Sequence, residues 1–318
     1  VTIDQLTSPR TTLGTSDLSV FPLSLGGNVF GWTADRETSF AVLDAYVAGG
    51  GNFIDTADVY SAWVPGNSGG ESETIIGAWI AQRGRSDDLV IATKVSQHPE
   101  FSGLSADNVH AAAQASLARL GVDSIDLYYA HFDSADVPLA ETVEAFSKLV
   151  DAGTIRAIGV SNFSAARIQE WLDIAEKGGF HKPVALQPQY NLVERGIEAD
   201  VLPLAVDAGL SVVPYYALAS GFLTGKYRDG SENTSPRAEG AAKYLDDRGR
   251  AVLAALDEIA AAHDAEVATV ALAWLRSQPG VAAPIASART VEQLPALLAS
   301  ATLELSSDEL ERLSAASA

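Results

Sequence analysis

Three strand-like runs of this chain each end in an ionisable side chain. Asp55 closes the apolar start of Asn52-Phe-Ile-Asp-Thr-Ala-Asp-Val-Tyr60, Lys94 ends Leu89-Val-Ile-Ala-Thr-Lys94, and His131 ends Ile125-Asp-Leu-Tyr-Tyr-Ala-His131. A carboxylate that closes a buried run needs a partner, because an unpaired buried charge is very costly, and Lys94 can supply it. Tyr60 follows Asp55 by five residues. An ammonium beside a phenol favours the phenolate, so Tyr60 is expected to have a pKa below its usual value near 10. It would then donate a proton near neutrality to an oxygen that is acquiring negative charge. His131 can hydrogen-bond to that same oxygen and orient it. The set suits proton delivery to a nascent alkoxide. No side chain supplies a hydride, so a nicotinamide cofactor and a small carbonyl substrate are implied. Taken singly, each residue has an ordinary reading: Asp55 as a helix cap, Lys94 as a snorkelling lysine, His131 as a satisfied structural group and Tyr60 as a loop aromatic. The argument rests on strand ends repeating in order, in a chain with five histidines.

Strand-like and helical segments alternate along the whole chain. A hairpin over 10–20 is followed by a strand at 21–25 and a helix at 36–48. Strand 52–57 and helix 73–82 come next, then strand 89–95 with helix 106–120, and strand 125–131 with helix 139–151. The second half continues with strand 155–160 and helix 165–177, strand 184–187 and helix 199–208, and strand 211–215. A long polar loop at 219–245 and helices at 247–263 and 267–277 separate this from strand 281–285, helix 291–300 and a last helix at 307–316. Gly121 and Gly153 stand where helices should stop. Eight strand–helix units predict a (β/α)8 TIM barrel with an N-terminal β-hairpin and extra helices near the seventh unit and the C-terminus. No composition break divides residues 1–318, so one domain is expected. The competing open doubly wound sheet usually carries Gly-x-Gly-x-x-Gly after its first strand, whereas this strand ends Gly26-Gly-Asn-Val-Phe-Gly31. In a barrel, strand C-termini converge on one face, and Asp55, Lys94 and His131 become neighbours on strands 2, 3 and 4.

The 318 residues are 47% hydrophobic and 19% charged, which is ordinary globular composition and allows a large core. A net charge of −20 argues against nucleic-acid or anionic-membrane partners, and means that a phosphate-bearing ligand needs local basic groups. The absence of cysteine excludes disulfides, thiolate metal sites and cysteine nucleophiles. No metal site is expected. The first residues lack the basic and apolar regions of a signal peptide, and no apolar run is long enough to span a membrane. A cytoplasmic monomer is expected, with a homo-oligomer as the alternative.

The sequence resembles the aldo-keto reductase family over essentially its whole length. The block 52–60 is similar to the family signature holding a catalytic aspartate and tyrosine, and Lys94 and His131 fall where the other two tetrad members stand. In Gly159-Val-Ser-Asn-Phe163 the resemblance implies that Ser161 and Asn162 hold a nicotinamide carboxamide, joined by Gln187 of Leu186-Gln-Pro-Gln-Tyr-Asn191. Tyr215 stands at the position of the aromatic that stacks on the nicotinamide ring. Leu218-Ala-Ser-Gly-Phe-Leu-Thr-Gly-Lys226 resembles the pyrophosphate loop, which implies roles for Leu218, Ser220, Gly221 and Lys226. The resemblance also implies NADP(H), with Ser287 and Arg289 at a helix start forming a 2′-phosphate site and Gln293 following them. Four positions depart from the family pattern. Ser287 replaces a frequent glycine, Ala296-Leu297 stand where many relatives carry Glu-Asn, and Tyr216 stands where serine is common. Within the family the chain is most similar to a bacterial branch shared with potassium-channel β-subunits and aryl-alcohol dehydrogenase-like enzymes. Phe30, Trp32, Trp63 and Phe132, from different loops of one face, are expected to form an aromatic substrate pocket, with Asn28 beside it and the cofactor.

The reading is therefore NADPH-dependent reduction of an aldehyde or ketone. Its main alternative is a catalytically idle NADP(H)-binding regulatory module of the channel β-subunit type. The complete tetrad and a first hairpin near residue 11, which leaves no long N-terminal blocking segment, favour turnover. A Schiff-base aldolase using Lys94 would need a depressed lysine pKa, which a close Asp55 should oppose. A metal-dependent hydrolase built on Asp55, Asp58 and His131 lacks a second convergent histidine.

Overall fold

The computed structural model describes residues 9–228 and 238–318. Eight parallel strands form its centre: β1 (Ser24–Gly26), β2 (Phe53–Asp55), β3 (Val90–Val95), β4 (Ile125–Ala130), β5 (Ile155–Ser161), β6 (Ala185–Gln187), β7 (Ser211–Val212) and β8 (Ile285–Ala286). They pair in chain order, and β8 returns to β1 through Ile285 opposite Ser24. The remaining seam closes through Val212 N–H to Gly280 O (2.8 Å), Ala282 N–H to Val212 O (2.9 Å) and Ile285 N–H to Pro214 O (2.8 Å). The sheet is thus the predicted (β/α)8 barrel.

Six helices follow the first six strands: α1 (Arg36–Ala48), α2 (Glu71–Arg83), α3 (Ala106–Leu120), α4 (Leu139–Asp151), α5 (Ala165–Gly178) and α6 (Val201–Asp207). Local chemistry fixes their ends. Asp35 caps α1 by accepting from Thr38 N–H (2.8 Å), and Gly121 ends α3 in a left-handed conformation (φ 65°) that costs glycine little. Among the described residues, three α-helices lie between β7 and β8, namely α7 (Ala238–Ala242), α8 (Asp247–Ala262) and α9 (Val267–Arg276). After β8 come α10 (Leu294–Ala299) and α11 (Ser307–Ala316). The extra helices therefore sit where the sequence pattern puts them. The expected helix at 291–300 is instead a 3-10 turn, Val291–Gln293, running into the short α10, because Pro295 cannot donate a ladder bond. The first and last strands are shorter than expected and lie nearer the C-terminal end of their runs. A small hairpin pairing Gln97–His98 with Phe101–Ser102 had no clear alternation to announce it. Parts of the expectations, the leader reading at the first residues and positions 229–237 of the long loop, lie outside the described residues.

The period-two alternation of strands decides what faces the barrel axis. Phe53, Val90, Ala92, Leu127 and Tyr129 belong to one buried cluster inside the barrel, closed below by Leu13, Leu18 and Val20 of the N-terminal hairpin. Ile54, Ile91, Tyr128 and Ala130 belong to the second cluster, between barrel and helices. Asp55 shares a face with Phe53, Lys94 with Ala92, and His131 with Tyr129. All three therefore rise from the interior at the C-terminal rim. Among the described residues no helix is long and apolar enough to cross a membrane, and no group of acidic or histidine side chains could hold a metal ion.

Candidate active site

A cavity of about 520 Å3 opens at the C-terminal rim. Asp55, Tyr60, His131, Asn162, Gln187 and Tyr215 line one end, and Leu218, Ser220, Gly221, Lys226, Ser287, Arg289 and Gln293 line the other, with Asn28 on the same wall. Lys94 does not line it. Its side chain is completely buried in the wall, and Nζ donates to Asp55 Oδ2 (2.7 Å), Thr56 O (2.6 Å) and Tyr60 Oη (2.9 Å). All three ammonium hydrogens are used, so the nitrogen has no lone-pair path to a carbonyl carbon, contrary to the aldolase alternative. Asp55 also accepts Gln187 Nε2 (2.8 Å) on its other oxygen, and the Tyr60 hydroxyl approaches Oδ2 at 3.4 Å.

Two pKa expectations are corrected. Burial first, and the Asp55 charge second, push the Tyr60 hydroxyl well above its usual value rather than below it. The ammonium is close enough to lower it, but its charge is already spent on the carboxylate. Burial also pulls Lys94 down, with Asp55 only opposing that shift. His131 is held neutral, its pKa driven well below the usual histidine range by burial and then by the Lys94 charge. Its Nδ1 is buried without a hydrogen-bond partner.

The amide groups are tied to one another. Ser161 lies behind the cavity wall and donates to Gln187 O (2.8 Å), while Asn162 Nδ2 donates to Ser161 Oγ and His131 O (both 3.0 Å). Tyr215 donates its hydroxyl to Asn162 Oδ1 (2.7 Å). At the other end, Ser220 (φ 58°) and Gly221 (φ 92°) form a left-handed turn beneath Lys226, and a Cβ at Gly221 would meet Lys226 Nζ at 3.3 Å. Ser287 donates to Asn28 Oδ1 (2.7 Å), and the Arg289 N–H donates to Gln293 Oε1 (2.8 Å).

The four expected pocket aromatics divide. Trp63 and Phe132 are exposed at the cavity, at 49% and 41%, and Tyr216 (50%) joins them. Trp32 reaches the cavity only through Trp63, packing edge-on at 5.7 Å between ring centroids. Phe30 is fully buried in the layer between barrel and helices and does not reach the cavity. A strand-end position alone did not reveal that its ring turns outward. Sequence reasoning missed Glu266 and Ala268 of the lining, which come from the start of α9, where no spacing signal pointed to the cavity; Thr224, also in the lining, lies within the quoted loop 218–226 but was not singled out.

The barrel is the fold that the sequence resemblance implied, and residues 22–318 match the model of the Aldo/keto reductase family. The chain belongs to the aldo/keto reductase family. It is 36% identical to the uncharacterized oxidoreductase YrpG of Bacillus subtilis over 95% of this chain and 94% of that protein. It is 32% identical to the norsolorinic acid reductase stcV of Emericella nidulans, covering 92% of this chain and 77% of that one. It is also 35% identical to a probable voltage-gated potassium channel subunit beta of Oryza sativa, over 89% and 88% of the two chains. Family membership makes this chain an oxidoreductase of the class that reduces carbonyl compounds with a nicotinamide cofactor.

Proposed function

We propose that the protein reduces an aldehyde or ketone to the alcohol, reversibly, with NADPH as cofactor and Tyr60 as proton donor. The observation that carries this reading is the Lys94 ammonium, bonded at once to Asp55 and to the hydroxyl of a tyrosine that opens on the cavity. The cavity residues fit the cofactor chemically. Amide groups of Asn162 and Gln187 suit a carboxamide, with Ser161 bonded to both from behind the wall, and Tyr215 offers a ring face. Leu218, Ser220, Gly221 and Lys226 suit a pyrophosphate, while Ser287, Arg289 and Gln293 suit a 2′-phosphate. When bound, the cofactor supplies the hydride.

The remaining work belongs to the side chains. Because burial keeps the Tyr60 phenol protonated at neutral pH, its proton is present when the substrate oxygen gains charge. Tyr60 donates that proton and becomes a phenolate held against the Lys94 ammonium, whose own charge Asp55 balances. Neutral His131 has one N–H to offer the same oxygen, which orients the carbonyl without adding a competing charge. Trp63, Phe132 and Tyr216 give the substrate end aromatic, uncharged walls, and we assign it a flat apolar carbonyl compound. The name of stcV, a reductase, supports turnover rather than binding alone.

The test is Tyr60→Phe. Loss of a general acid is expected to lower kcat by roughly 10²–10⁴-fold. Fluorescence titration should meanwhile show NADPH affinity almost unchanged. Wild-type turnover in this variant would remove Tyr60 from the reaction.

A further inference from the structure

Outside the barrel wall, behind Lys94, lies a second set of buried ionisable groups that the proposed reaction does not use. Asp58 is fully buried, and neither of its carboxyl oxygens has a hydrogen-bond partner. Its backbone N–H reaches the Lys94 carbonyl at 3.3 Å, so the two residues are bound to each other. Glu73 on α2, equally buried, accepts Thr93 Oγ1 of β3 at 2.5 Å and Arg119 Nε of α3 at 2.6 Å. Tyr128 on β4 adds a buried hydroxyl that also lacks a partner. The charged and titratable groups that act on Asp58 are thus Glu73 from α2, Arg119 from α3 and Lys94 from β3, and Tyr128 on β4 in turn feels the Asp58 charge.

Charge balance separates these acids. Asp55 is matched by Lys94 and Glu73 by Arg119, each through a direct bond. An ionised Asp58 would be a fifth charge with no cation bonded to it and only the neighbouring Val59 N–H to favour it, the arrangement that buried groups avoid by binding a proton. We propose that Asp58 carries its proton in the native protein and is a positioning residue for Lys94, whose ammonium it leaves to Asp55, the Thr56 carbonyl and Tyr60. Burial and the neighbouring Glu73 charge push the Asp58 carboxyl up to about 8, in keeping with this. When the proton is lost, the new anion stabilises the Lys94 ammonium from behind and raises its pKa. The same anion makes a Tyr60 phenolate harder to form. That last consequence rests on the proposed reaction; the proton on Asp58 does not.

The experiment uses the full chain with no ligand, carrying lysine labelled with 13C at Cε, and compares wild type with Asp58→Asn. The Lys94 resonance, assigned with Lys94→Arg, should inflect near pH 8 in wild type and show no such inflection in the variant. Thermal melts give a second readout with a definite sign. A carboxyl with a pKa of about 3.9 when unfolded and a raised one when folded loses stability as pH climbs between the two values. The Tm advantage of Asp58→Asn should therefore grow from about pH 5 to about pH 8 and then stay level. If Asp58→Asn does not fold, the infrared carboxylic-acid band of wild type decides: it should be present at neutral pH and vanish at alkaline pH. A Lys94 resonance with no inflection, a pH-independent Tm difference, or no carboxylic-acid band would each overturn the proposal. A protein that reduced no carbonyl compound would overturn the proposed function instead, and these ligand-free readouts would still judge Asp58.

Discussion

Cofactor choice turns on single side chains. Arg289 lines the cavity beside Ser287 and spends only its backbone N–H on Gln293. The segment after it is a 3-10 turn and a six-residue helix, so little helix dipole is available and the guanidinium must carry the attraction for a phosphate. A hydrogen bond to a charged group is worth roughly 1.5–3 kcal/mol, which corresponds to about ten- to hundredfold in affinity. Arg289→Ala should therefore weaken NADPH by that factor and NADH hardly at all, as read by parallel fluorescence titrations. Equal losses would place the phosphate elsewhere. Asp55, Tyr60, Lys94 and His131 were legible as a set because each ends or follows an apolar run, and strand alternation sends Asp55, Lys94 and His131 inward, with Tyr60 in the turn that follows Asp55. Their protonation behaviour was not legible. Spacing shows that Lys94 and Tyr60 meet, but the sign of the Tyr60 shift depends on how deeply the pair is buried and on which partner takes the lysine's charge. Asp58 was equally hidden, since its neighbours Glu73, Arg119 and Tyr128 come from three other elements.

At the scale of elements, one contact sets how close α2 comes to α3, and with it the position of Glu73. Gly77 on α2 lies against the backbone of the α3 C-terminus. A Cβ there would stand 2.2 Å from Arg119 O and 2.8 Å from Leu120 C. Backbone cannot step aside as a flexible side chain can, so Gly77→Ala should force the helices apart at about 1–3 kcal/mol. Gly196→Ala is the control, because nothing lies within 4 Å of its added Cβ. Urea unfolding should show a lowered midpoint for the first variant and not for the second. The order and type of the helices were readable from apolar periodicity and from stops such as Gly121, with boundaries that fell within a few residues. One feature was not. The small hairpin of Gln97–His98 with Phe101–Ser102 pairs only two residues on each side.

Over the whole molecule the dominant physical quantity is charge. A net −20 on 318 residues opposes compactness by self-repulsion. Ion pairs such as Lys94–Asp55 and Arg119–Glu73 each have at least one partner with essentially no exposure and are little affected by salt. Exposed pairs such as Lys148–Glu144 contribute little to begin with. The two electrostatic terms therefore respond differently to ionic strength. Screening over about 8–10 Å at 0.1–0.15 M removes much of the long-range repulsion and leaves the buried attraction in place. Added sodium chloride should consequently raise Tm, steeply at first and then levelling once the screening length is shorter than the spacing of surface carboxylates. A melt series at fixed pH measures this directly. A Tm that fell with salt would mean that exposed ion pairs outweigh repulsion, and that the acidic surface is organised into networks rather than spread evenly. A rising Tm would also bear on the cofactor. A phosphate-bearing ligand approaches a repulsive surface, so Lys226 and Arg289 at one end of the cavity must act locally against the field of the rest of the chain.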